Sequence, residues 1–193
     1  MHKIISITAL LIAGSLIQAC FKAETSVPSK TLIEKYKTIE ADTSVHFVFF
    51  SFEQSKVLAF TDSPTARWDV AFKDSVLLTN NGVSGPGKGG GLVFKGVYDD
   101  IPCFPDTVAI DIDSTQARAI DTTWFENDPT TSLIKLIPAR TILIRTGNGK
   151  FAKMEVMKFY DEKNGVKRRG LYTFRYTYQS NGTKQLTDTS ICK

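Results

Sequence analysis

Histidine is nearly missing from this chain: of 193 residues only His2 and His46 are imidazoles. A Ser-His-Asp relay, or a metal centre built on several imidazoles, needs more than that supply. The three cysteines, Cys20, Cys103 and Cys192, are far apart, so no paired-cysteine metal motif exists. Neither G-x-S-x-G nor H-E-x-x-H occurs, and no calcium-loop pattern organises the acids at Asp99, Asp100, Asp106, Asp111 and Asp113. These acids read as a solvated face. Charge bias is small as well: 24 Lys and Arg face 20 Asp and Glu, a net +4. That is too weak a field to hold nucleic acid. No internal repeat and no second composition regime appear. An enzyme is not indicated; a pair of carboxylates is the one catalytic device the composition leaves open.

What is present begins at the N-terminus. His2 and Lys3 precede the apolar run Ile4 to Ile17, and the segment ends Ile17-Gln18-Ala19-Cys20. A short basic start, an apolar core too short to span a bilayer and a small residue before the cut describe a signal peptide over 1–19. Cysteine directly after the cut makes this a lipobox, with Cys20 as the acylated (palmitate-bearing) first residue of the mature protein. Residues 20–36 follow as a tether, although Lys30 to Lys37 has the length of a short helix. A single domain over 37–193 is large enough for its own core. The expected partner is the membrane, reached through lipid and not through charge.

In an oxidising compartment Cys103 and Cys192 have two readings. They pair and close a long loop, or they remain two thiols, one in a loop and one near a terminus.

The domain is organised around Arg67 to Gly91, RWDVAFKDSVLLTNNGVSGPGKGGG. Trp68, Val70 and Phe72 alternate with Arg67, Asp69 and Lys73, which predicts a strand with one buried face. Val76 to Leu78 gives the next strand, and a glycine-dense loop follows. Gly82 to Gly89 matches both glycines and the lysine of a phosphate-binding loop, but Gly89 stands where a hydroxyl is needed. The strand-like sequence after it offers no helix N-terminus. The match is coincidental.

Elsewhere the chain reads as short strands separated by turns. Val45 to Phe52 and Val57 to Phe60 form a first hairpin, with His46 beside aromatic residues. Leu92 to Tyr98 and Val108 to Ile112 follow, then an ambiguous Ser114 to Asn127, where Ser114 is placed to cap a helix over Gln116 to Ile120. Trp124 and Phe125 have two readings, as core or as the rim of a pocket. Leu133 to Ile137, Thr141 to Arg145, Phe151 to Tyr160 and Leu171 to Tyr178 complete the set. Gly147-Asn148-Gly149 turns one hairpin and Lys163-Asn164-Gly165 another. Tyr172, Phe174, Tyr176 and Tyr178 share one face, which suits core packing or stacking on a flat ligand. The fold class is all-β, a largely antiparallel β-sandwich or open barrel of about nine to eleven strands with little helix.

The Trp-Asp-aliphatic strand and its Thr-Asn glycine-rich loop, followed by ILIRTGNGKFAKMEVMKFY and LYTFRYTYQ, resemble the HmuY-like family of lipoproteins from Bacteroidetes. The resemblance covers most of Lys37 to Gln179 and is weakest in the middle. It implies an outer-membrane lipoprotein that binds haem and passes it to an outer-membrane haem receptor in iron acquisition. The haem-binding member draws two axial histidines from loops between the glycine-rich stretch and the last hairpin. Here the matching Leu92 to Arg140 holds neither His nor Met. The remaining axial candidates are Met154, Met157, His46 and Tyr98, with Cys103 as a further sulfur. Met154 and Met157 are expected on opposite strand faces, so at most one meets any pocket. The alternative is a lipoprotein of the same fold that has lost the haem site and binds a peptide, a glycan or a transporter partner.

Overall fold

The computed structural model describes residues 32–41, 46–107, 109–163, 166–188 and 192. The expected leader, Cys20 and the first part of the tether lie outside the described residues.

Eleven strands are connected by turns, and among the described residues the helical segments are single 3₁₀ turns at Phe60–Asp62 and Tyr98–Asp100. The strands are β1 (Leu32–Glu40), β2 (Val48–Ser51), β3 (Lys56–Val57), β4 (Val70–Lys73), β5 (Val76–Thr79) and β6 (Gly90–Lys95). Then come β7 (Phe125–Asn127), β8 (Ile134–Leu136), β9 (Arg140–Arg145), β10 (Phe151–Lys163) and β11 (Val166–Gln179). They form a five-stranded sheet ordered β1-β11-β10-β9-β6 and a four-stranded sheet ordered β3-β2-β4-β5, with β7-β8 as a separate hairpin. Among the described residues the eight strand pairings are antiparallel. The two sheets pack face to face, which makes the molecule a sandwich.

Period-two alternation builds the layer between them. Phe50, Val70, Phe72 and Leu77 of the smaller sheet meet Ile142, Ile144, Met154, Tyr172, Phe174 and Tyr176 of the larger. Phe50 meets Phe174 edge-on at 5.4 Å, and Phe72 stacks on the same ring at 5.4 Å. The aromatic face of β11 is therefore core, and its four rings, Tyr178 included, are fully buried.

The opposite face of the larger sheet is also covered. Leu143 packs there with Ile101, Phe104 and Leu186, supplied by the segment after β6 and by the C-terminal strip. A disulfide joins Cys103 to Cys192, with Cα atoms 5.7 Å apart. Of the two readings open to these cysteines, the structure shows the pair.

Several expectations are corrected. Lys30 to Lys37 is not a helix: from Leu32 it is β1, so the domain begins inside the stretch expected to be tether. Its scattered charges are those of an edge strand, with Lys35, Tyr36 and Glu34 exposed. Gln116 to Ile120 is not a helix either. Ser114 does cap, accepting the Ala117 amide at 3.0 Å, but only a turn follows. Trp68 leaves the face of Val70 and Phe72, because β4 starts only at Val70. Its ring packs on the outer side of the smaller sheet with Phe49, Ala71 and Leu78. Asp113 is not part of a solvated face. Its carboxylate is 1% exposed and accepts the Thr79 amide at 2.9 Å and the Ala119 amide at 2.9 Å.

Candidate functional site

The glycine-rich loop is a structural device. Asn80, fully buried, donates to the carbonyls of Thr65 (2.9 Å) and Trp68 (2.8 Å). Its side-chain oxygen accepts the Gly87 amide at 2.9 Å, and its backbone oxygen accepts that of Gly89 at 2.9 Å. A Cβ at Gly85 would stand 2.6 Å from the Trp68 ring and 2.2 Å from Asn80 Oδ1, so the loop lies too close for any side chain there. With its amides turned inward and β6 following, the loop holds no phosphate.

A groove that brings the axial candidate Met157 to an apolar wall lies elsewhere. β9 pairs with β10 only from Arg145–Phe151 to Ile142–Met154. Beyond that register, β10 bulges between Val156 and Lys158 and runs on as a long hairpin with β11. The β7-β8 hairpin leans on this extension, where the Tyr160 hydroxyl accepts the Ile134 amide at 2.6 Å. Between the diverging strands opens a groove of about 310 Å³. Trp124, Leu136, Ile137 and Pro138 line it, with Arg140 and Met157. Met157 is 46% exposed. Arg140 is held by the carbonyls of Thr123 (Nε, 3.2 Å) and Ala139 (Nη1, 3.2 Å). Ala139 itself sits at φ +53°, a left-handed backbone that a residue with a Cβ adopts at a cost. Glu155 at the edge is paired with Arg175 at 2.6 Å.

The axial candidates do not converge. Met154 is sealed in the layer between the sheets. His46 lies by the smaller sheet, its ring 4.3 Å from that of Phe60. Tyr98 is under the outer face of the larger sheet, its hydroxyl 2.7 Å from Thr177 Oγ1. Burial pushes that phenol upward in pKa, so a phenolate ligand is disfavoured. The cations of Lys153 and Arg175 lie 4.4 and 4.2 Å from its ring centroid. Lys153 donates to the carbonyls of Tyr98 and Ile101, each at 2.9 Å, which explains a lysine only 2% exposed. Cys103 is consumed by its disulfide. Among the described residues no group of three or more His, Cys, Asp or Glu is placed to hold a metal ion.

The groove fits a flat apolar ring better than a bare metal. Its walls are aliphatic and aromatic, Arg140 offers an anion partner, and Met157 offers one thioether. Sequence reasoning named Met157 but missed Arg140 and Pro138. These become visible only when β9 separates from β10.

No family model matches the chain, and no curated protein matches it. Solved structures do. The apo HmuY analogue of Tannerella forsythia superposes with a TM-score of 0.56 at 15% identity, covering 78% of this chain and 97% of its own. Apo PinO of Porphyromonas gingivitis gives 0.52 at 14% identity, over 79% of this chain and 100% of its own. A Bacteroides vulgatus protein assigned as HmuY-like and haem-binding gives 0.50 at 18% identity, over 74% and 90%. In fold the chain is HmuY-like.

Proposed function

We propose that this chain is a lipid-anchored binding protein that holds haem or a related porphyrin in the Met157 groove. The observation that carries the reading is the exposed thioether of Met157 in an apolar groove of an HmuY-like fold. Leu136, Ile137 and Pro138 would cover one face of the ring, and Arg140 would pair with a propionate. Met157 would offer its thioether to the iron. Met157 is the one axial candidate that lines this groove, so binding would rest mainly on ring contact. The protein would be carried at the outer membrane by lipid on Cys20 and would pass its cargo to an outer-membrane haem receptor.

Haemin and metal-free protoporphyrin separate ring contact from ligation. Both should quench the fluorescence of Trp124, with haemin bound several-fold tighter. Met157→Leu should bring the two affinities together. Equal affinities in the unaltered protein would remove Met157 as a ligand.

A further inference from the structure

A second opening lies at the other end of β9. Arg140 and Arg145 bound that strand, so the two openings are separated by roughly 17 Å at about 3.3 Å per residue. This cleft, of about 550 Å³, is lined by Asn81, Gly87, Lys88, Arg145, Gly149 and Phe151. It contains no carboxylate. Every cation pairing with an acid among the described residues lies elsewhere, and neither Lys88 nor Arg145 takes part in one.

Arg145 is held there by register. Directly across from it stand Phe151 on one side and Gly90 on the other. Its Nη2 donates to the Gly89 carbonyl at 3.3 Å, while its Nε is buried and has no acceptor. A half-buried guanidinium with one weak bond and no counter-charge is costly to keep. Nε itself is enclosed, so a ligand carboxylate would supply the missing counter-charge at the outer Nη edge.

The backbone restricts what the anion is. A phosphate-binding loop presents free amides to its ligand. Here the amides of Gly87, Lys88, Gly89 and Gly149 all donate internally, to Asn80 Oδ1, Gly147 O, Asn80 O and Thr146 O. Recognition is left to one planar fork and one flexible ammonium, a set suited to a single carboxylate. Phe151 beside them supplies an apolar wall for a ring.

We infer that this cleft is a binding site for a ring that bears a carboxylate, such as a uronic acid residue of a glycan or an aromatic acid. It is independent of the porphyrin groove.

The test uses residues 20–193 with Cys20→Ser, ¹⁵N-labelled and titrated with glucuronate, benzoate, glucose, acetate and sulfate. The inference expects saturable shifts confined to Arg145 Nε–H and the 87–91 and 147–151 amides, from at least one of the two ring acids. The responsive acid tells a sugar source from an aromatic one. Glucose should be silent, and acetate and sulfate at least ten-fold weaker. Arg145→Gln should abolish the response, Lys88→Gln should weaken it several-fold, and Met157→Leu should leave it unchanged. A fold check on Arg145→Gln is the retained dispersion of its other amides. Silence from both ring acids, an equal response to all anions, or a response that survives Arg145→Gln would overturn the site.

Discussion

Asp69 accepts the amide of Gly147 at 3.0 Å across 78 residues of sequence, and its other oxygen accepts that of Phe52 at 2.7 Å. One carboxylate thus ties the start of β4 to the β2-β3 turn and to the β9-β10 turn. Burial raises its pKa from 3.8 to about 7, with the two amides opposing the shift. A raised acid means that the folded state holds its proton to higher pH than the unfolded chain. Stability should therefore fall as pH rises from about 4 to about 7, by up to roughly 4 kcal/mol. Denaturant unfolding at pH 4, 5.5 and 7.5 measures it. Asp69→Asn should flatten the slope and lower stability at pH 4, because its NH₂ must face one of the two amide donors. A flat profile in the unaltered protein would show Asp69 ionised throughout.

Trp68 is completely buried, donates from Nε1 to the Ser63 carbonyl at 3.0 Å and meets Phe49 edge-on at 5.0 Å. Trp68→Ala should cost about 3–5 kcal/mol. An unchanged melting midpoint would contradict its place in the outer cluster.

The Cys103–Cys192 bond spans 89 residues and pins the C-terminal strip, whose Leu186 amide donates to the Pro102 carbonyl at 2.7 Å. Replacing both cysteines by serine should cost about 4–5 kcal/mol in the chain-entropy view. Amide exchange should rise first around 184–187, before the sheets open. Equal protection with and without the bond would assign the strip's order to Leu186 alone.

Cys20→Ser should shift the protein from the membrane fraction to the soluble one after detergent-free lysis, since lipid is the only expected anchor. Continued sedimentation with membranes would point to another attachment.

The strands that were legible in the sequence have clear alternation or an obvious turn. The aromatic face of β11 and the opposite facing of Met154 and Met157 follow from period two alone. β1 was not legible, because an edge strand needs only Ile33 and Ile39 turned inward and leaves its charges to solvent. Alternation places Trp68 with Val70 and Phe72, but β4 begins only at Val70, so the period does not extend back to Trp68. The pairing of Cys103 with Cys192 depended on proximity, which spacing does not contain. For the site, the Met157 thioether could be named in advance. The groove around it could not, since it exists only because β9 and β10 part after Ile142 and Met154.

The most direct measurement is a haemin titration of residues 20–193 with Cys20→Ser, followed through the Soret band in the oxidised and reduced forms. The account predicts a saturable, sharpened band near one equivalent, lost or shifted in Met157→Leu and unchanged in Arg145→Gln. A spectrum matching free haemin at every ratio would contradict it, and would mean that the HmuY-like fold here serves a different ligand.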